Sequence, residues 1–307
     1  MTANEDFLAH EVLRSRIAQL LINEAIREKT FRVPVHLAMG HEAIAVAVAN
    51  VRAPRDQVLL SHRNIHYQLA FGASLKSLYD EYALLPSGLA GGQLGSMNLS
   101  NPAAGILYTS SVLGNNLPVA AGVALAEQSK DSDAVTFVVT GDGAMEEGSF
   151  YETLLMLRSQ NSRCIILVEN NEWSLATQIS ERRCPIDVAS ITKGFDIAYL
   201  RLRGNDVPRY VDALQALRQE VLDRRYPAVV EVDLKSLGDW RMPNPDFPDG
   251  KYINYHAGLA PEASLSDWPT LRDDEWDPVH VLLESKNAAA LRAWAPSAIA
   301  KMRSELA

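Results

Sequence analysis

The sequence predicts an α/β protein, a doubly wound and mostly parallel sheet with helices on both faces. Three observations predict it. The runs AVTFVVT, CIILVE and AVVEVDL are almost unbroken Val, Ile and Leu, as in strands buried on both faces. Amphipathic segments alternate with these runs, which is the order of a wound sheet. Residues 134–171 read strand, turn, helix, strand, turn, at about the 30-residue length of a βαβ unit. The 307 residues are 47% hydrophobic and 22% charged, ordinary for a globular chain. The expected organisation is one domain with three parts: a helical segment (1–39), an α/β core (40–235), and a lid-like loop with a C-terminal tail (236–307).

Each element follows from local pattern. Leu13, Ile17, Leu20, Leu21 and Ala25 form one stripe at helical spacing across residues 8–28. Gly40 precedes a helix rich in Ala and Val, small enough to pack closely on a neighbour. Residues 57–61 (QVLLS) read as a short buried strand ending in SHRN, and 74–84 as another amphipathic helix. SGLAGGQLGSMNLSNPAAG reads as a structured loop that lets backbone approach a ligand. NLPVAAGVALAEQ follows as a helix with Pro118 in its first turn. After the βαβ unit, VDALQALRQEVLDR and AVVEVDL repeat helix and strand. GDWRMPNPDFPDGKYINYHAG, rich in Pro, Asp and aromatics, reads as a long lid-like loop, and a short helical tail closes the chain.

Bulk properties narrow the classes. A net charge of -9 argues against a nucleic-acid partner. No run of 18 apolar residues predicts a membrane span, and the first residues lack the basic and apolar regions of a signal peptide. Cys164 and Cys184 show no zinc-type spacing and no disulfide framework, so a cytoplasmic location is expected.

Two turns carry the chemistry. Asp142 in GDG and Asn171 in NN each follow a buried strand of one βαβ unit, at the carboxyl ends where wound sheets bind ligands. Both offer hard oxygen donors suited to Mg²⁺ or Ca²⁺. One carboxylate with one neutral amide suits a cation that also carries a diphosphate, because a second carboxylate would repel the phosphates. Gly141 and Gly143 permit close approach of backbone N–H groups to phosphate oxygens. Either turn alone is more readily read as plain turn chemistry; their pairing at this spacing is what points to a site. No GxGxxG or P-loop supports a nucleotide-binding module.

The segments HLAMGHEAIAV, LLSHRNIHYQLAFG, GLAGGQLGSMNL, SSVLGNNLPVAAGVALA, GDGAMEEGSFYETL and ILVENNEWSLAT occur in that order. Together they resemble the alpha subunit of the thiamine-diphosphate-dependent 2-oxo acid dehydrogenases (pyruvate, acetoin and branched-chain types) over about residues 10–235. The resemblance implies a thiamine-diphosphate-binding fold, with Asp142, the Asn171 side chain and the Trp173 carbonyl holding Mg²⁺. It implies that His62 and Arg63 reach the diphosphate, that Gly141, Gly143 and Ala144 line it, and that Ser111 and Leu113 lie along the aminopyrimidine and thiazolium. His66, three residues past Arg63, is the catalytic candidate, although the family often carries its histidine where this chain has Ile65. His36 and His41, like His66, lie near apolar helices, where a satisfied structural histidine is the commoner reading.

The resemblance also implies a beta subunit carrying the activating glutamate, an α₂β₂ assembly, and decarboxylation of a small 2-oxo acid with transfer of the acyl or hydroxyalkyl group. Glu42 reads as structural. Two departures put transfer to a lipoyl domain in doubt: Trp240 stands where the family's loop has histidine, and Asn98 replaces the histidine of GGSMH. They keep open a carboligase or ketol transferase using an aldehyde or ketone acceptor. A non-catalytic subunit that kept the fold is the remaining alternative.

Overall fold

The computed structural model describes residues 5–130 and 132–306. Its helices are α1 (Glu5–Arg27), α2 (Glu42–Val51), α3 (Ile65–Ala70), α4 (Leu75–Tyr82), α5 (Asn116–Ser129), α6 (Gly148–Ser159), α7 (Ile179–Arg182), α8 (Val188–Gly194), α9 (Val207–Arg224), α10 (Pro278–Val281) and α11 (Ala288–Leu306). Its strands are β1 (Gln57–Ser61), β2 (Ile106–Ser110), β3 (Thr136–Gly141), β4 (Cys164–Asn170), β5 (Trp173–Ser174), β6 (Thr177–Gln178), β7 (Ala198–Leu202), β8 (Ala228–Asp233), β9 (Trp240–Asn244) and β10 (Phe247–Ile253).

Six strands form one sheet in the order β2-β1-β3-β4-β8-β7. Every neighbouring pair is parallel. Strand side chains alternate between faces, and both faces are covered. Leu60, Phe137, Val139, Ile165, Leu167, Val230 and Val232 pack with α1, α2 and α9 residues such as Leu13, Ile44 and Leu214. Leu59, Val138, Ile166, Val168 and Val229 pack on the other side with Leu117, Ala121, Phe150 and Leu154 of α5 and α6. That double burial is why these strands read as continuous apolar runs rather than alternating ones.

The C-terminal segment is locked to the start of the chain. Arg16 is fully buried, with Nε 2.6 Å from Glu42 Oε1 and an Nη 3.0 Å from Asp277 Oδ1. Glu42 also accepts from the Gly40 N–H at 2.7 Å and from Gln19 Nε2 at 3.2 Å. It is a structural carboxylate, out of reach of any ligand. Gly40 has φ +96°, and a Cβ there would stand 2.0 Å from the Lys235 carbonyl oxygen. The Leu237 N–H donates to the Met39 carbonyl at 2.8 Å. Glycine thus lets the loop before α2 lie directly against the segment after β8.

Two expectations are corrected, and two strands are added. Residues 240–253 form an antiparallel hairpin of β9 and β10 rather than a loop; its strands are mostly exposed and rich in Pro and Asp, so they carry no apolar signal. The closing helix α11 has 19 residues, with Leu291, Ala295, Ala298 and Met302 buried. Strands β2 and β7 carry mixed burial and lie at the two sheet edges, which erased the apolar-run signal. Among the described residues no helix is long and apolar enough to cross a membrane.

Candidate functional site

A narrow cleft of about 80 Å³ opens at the carboxyl ends of β1, β2, β3 and β4. Its walls include His62, Arg63, Ser111, Leu113, Gly141, Asp142, Gly143, Ala144, Asn171 and Trp173. Ten of the residues singled out from sequence therefore meet in one place, brought there by four strand ends. β3 and β4 are hydrogen-bonded neighbours, with Gly141 opposite Glu169, so the two turns stand side by side.

The GDG turn is the start of a 3₁₀ helix, Asp142–Glu146. A Cβ on Gly143 would meet Ser174 Oγ at 2.9 Å, so glycine is what lets the turn close against the segment after β4. Asp142 is 1% exposed. Its Oδ2 accepts from Arg182 at 2.9 Å, while Oδ1 is buried without a partner. Burial pushes its carboxyl up to about 6, against the pull of Arg182. Arg182 also pairs with Glu146, as does Arg183. Asn171 Oδ1 accepts from the Trp173 N–H at 3.0 Å, an Asx turn, and its Nδ2 donates to Ser236 Oγ at 3.0 Å. The donor set fits a small hard cation: a buried carboxylate oxygen lacking a partner, and an amide oxygen with a lone pair to spare.

Arg63 lines the cleft, but it is 7% exposed and already donates to the Leu37 and His256 carbonyls. It clasps the walls as much as it faces a ligand. The Ser111 N–H donates to Asn98 Oδ1 at 3.0 Å, so Asn98 shapes the loop after β2. Leu113 is 48% exposed, beside Val112 at 66%, and Leu175 across the cleft is 65% exposed.

His66 does not reach the cleft. It is fully buried, with Nε2 3.1 Å from Glu169 Oε1, and sits behind that carboxylate. As the second residue of α3 it points at the sheet end rather than outward. Glu169 accepts from His66, from Tyr67 Oη at 2.8 Å and from His41 Nδ1 at 2.8 Å. Burial alone would push this carboxyl up, but those partners outweigh it and hold it well below the usual range.

Two titratable wall residues, Glu169 and His256, carry no signal in the sequence. Glu169 ends a strand run that reads as plain core. His256 follows the hairpin and lines the cleft, packed against His36 and His62 with ring centroids 5.1 and 5.6 Å away. No motif surrounds it, so nothing in sequence flagged it. Trp240, at the position where a histidine was sought, begins β9 and does not line the cleft.

Residues 10–234 match the family model described as "Dehydrogenase E1 component". The chain belongs to the dehydrogenase E1 component family. Among its relatives is the mitochondrial pyruvate dehydrogenase E1 component subunit alpha of Saccharomyces cerevisiae, 28% identical over 230 residues, covering 75% of this chain and 54% of the yeast protein. Another is the pyruvate dehydrogenase E1 component subunit alpha of Rickettsia prowazekii, 26% identical over 197 residues, covering 64% of this chain and 60% of that one. The chain thus spans a little over half the length of these E1 relatives. The family match ends at 234, so Ser236, the hairpin and His256 lie beyond it.

Proposed function

We propose that this chain is the alpha subunit of a thiamine-diphosphate- and Mg²⁺-dependent enzyme that decarboxylates a 2-oxo acid. The observation carrying this reading is the pair of oxygen donors, Asp142 Oδ1 and Asn171 Oδ1, on neighbouring strand ends of an E1-family chain. Asp142, Asn171 and the Trp173 carbonyl would hold Mg²⁺. His62, Arg63 and the N–H groups of Gly143 and Ala144 would hold the diphosphate. Ser111 and Leu113 would lie along the cofactor's rings, Leu113 as an apolar wedge.

Thiamine diphosphate, when bound, supplies the nucleophilic carbon and the electron sink that decarboxylation needs. This chain's share is binding, orientation and exclusion of water. Burial holds His36 near 2, His62 near 3 and His256 near 4, with Arg63 adding to the effect at each, so all three imidazoles are uncharged at neutral pH, His62 and His256 in the cleft wall and His36 packed behind them. Uncharged imidazoles offer N–H donors without adding charge. Among the described residues, neither Glu42 nor Glu169 stands free to activate the cofactor: Glu42 is locked to Arg16, and both oxygens of Glu169 are occupied. That supports a beta subunit supplying the missing acid, with the exposed Val112, Leu113 and Leu175 along its seam.

The hairpin at 240–253 favours a second reading of the acceptor. It stands where the family resemblance implies a histidine-bearing loop, and a hairpin without histidine there supports an aldehyde or ketone acceptor in place of a lipoyl domain. The test is purification of the native complex, with its mass, metal and cofactor content, followed by lipoyl and aldehyde acceptor assays. A second chain with thiamine diphosphate and a divalent metal is expected. A lone chain that takes up neither overturns the reading.

A further inference from the structure

An unbroken hydrogen-bonded chain runs from the cleft to the buried carboxylate of Glu169. It begins at Asn171. A backbone N–H only donates, so the contact from Trp173 N at 3.0 Å fixes which end of the Asn171 carboxamide is oxygen. The other end, Nδ2, donates to Ser236 Oγ at 3.0 Å. Ser236 Oγ stands 2.8 Å from His41 Nε2, and His41 Nδ1 stands 2.8 Å from Glu169 Oε2.

The proton positions follow from the donor inventory. An ionised carboxylate only accepts, so His41 carries its proton on Nδ1. His41 is 1% exposed, and burial holds its imidazole uncharged, down to about 4, against the pull of Glu169. Nε2 is then an acceptor and takes the one hydroxyl proton of Ser236. With that proton committed, the Ser236 oxygen accepts from Asn171. Every donor in the chain points along it, from Asn171 toward Glu169.

We propose that Ser236 and His41 are positioning residues: they hold the Asn171 carboxamide with its NH₂ turned away and its oxygen free to take a cation. The inference rests on the proposed Mg²⁺ site. A flipped amide would present its NH₂ to a dication and would face the Trp173 N–H donor to donor. The fold gives Ser236 its place through Gly40, whose missing Cβ lets the segment after β8 lie against the loop that carries His41. Ser236 lies two residues beyond the family match, so this support comes from a part of the chain the family model does not cover.

The test is Mg²⁺ affinity rather than turnover. The native complex is titrated with Mg²⁺ at saturating thiamine diphosphate, followed by calorimetry and tryptophan fluorescence. Ser236→Ala is expected to raise the Mg²⁺ Kd about 10-fold, the lower end of what losing an outer-shell partner costs a metal site. Ser236→Thr, which keeps the hydroxyl, is expected to restore most of it. In an Asn171→Ala background, Ser236→Ala is expected to add nothing, because the two act as one unit.

Denaturant unfolding is measured on the same variants. Lower stability with unchanged Mg²⁺ Kd would make Ser236 merely structural and overturn the inference. Additive effects of the two substitutions would overturn it too. Wild-type protein that binds neither Mg²⁺ nor thiamine diphosphate would sink the proposed function and this inference with it. Wild-type binding matched by Ser236→Ala would sink this inference alone.

Discussion

Two histidine groups flank the cleft, and they are built on opposite plans. His41 and His66 converge with Tyr67 on Glu169; both histidines are at most 1% exposed, and all three donors bond to the carboxylate. His36, His62 and His256 stack on one another with ring centroids 4.7 to 5.6 Å apart, beside Arg63 and without a carboxylate between them. His36 Nδ1 is buried with no partner at all. The first group is anchored on a buried carboxylate that takes three donors, although His66 Nδ1 has no partner there. The second has no such carboxylate, and two of its members, His62 and His256, line the cleft. Residue type alone does not separate the two groups; a shared buried carboxylate does.

The contrast is broken most sharply at Glu169. Glu169→Ala strands the donors of His41, His66 and Tyr67 in the interior. A loss of about 3–5 kcal/mol is expected in denaturant unfolding, as for removing one partner of a buried pair. An equal loss from His62→Ala would erase the distinction between the groups.

Acid sharpens it. Unfolded histidine takes up its proton near pH 6.5. Folded His36, His62 and His256 resist until about 2, 3 and 4, so acid favours the unfolded chain and stability falls as pH drops below about 6.5. His41, also held down to about 4, adds to this window. Glu169 acts in a separate one. Its folded value is depressed, so its contribution is intact above the ordinary carboxylate range near pH 4.3 and lost only below it. The triple variant His36→Gln, His62→Gln, His256→Gln is expected to flatten most of the fall between pH 6.5 and 4, read from urea midpoints. An unchanged profile would place the titrating groups elsewhere.

His62→Ala is the next smaller effect. Loss of one neutral hydrogen bond of about 0.5–1.5 kcal/mol would weaken thiamine diphosphate binding up to about 10-fold, with stability nearly unchanged. Smallest is Lys251→Ala, which removes the 2.6 Å bridge from the hairpin to Glu181. Partly exposed pairs of this kind contribute about 0.2–1 kcal/mol, so a melting-temperature shift of a degree or two at most is expected.

The legible and illegible parts of the molecule divide on physical grounds. β3, α6, β4 and β8 were readable because burial on both faces forces continuous apolar runs, and the turns between them carry Gly, Asp and Asn for backbone reasons. The cleft residues on those turns came with them. His66 was misplaced because its distance from Arg63 along the chain says nothing about which side of α3 faces the ligand. Ser236 and His256 were invisible because neither sits in a pattern: each acquires its surroundings only from a contact distant in sequence, Asn171 with Ser236 and Arg63 with the His256 carbonyl.

That last contact sets a timetable. Arg63 grips the carbonyls of Leu37 and His256, groups 26 and 193 residues away along the chain. On a ribosome, the first wall and the arginine emerge long before the residue that completes the clasp. A nascent chain halted before 256 would hold β3 and β4 with their two turns, yet lack the far wall and leave the guanidinium half-satisfied. Cofactor capture belongs to the last act of synthesis, and thiamine diphosphate added to stalled intermediates should protect none of them from proteolysis until His256 has cleared the exit tunnel.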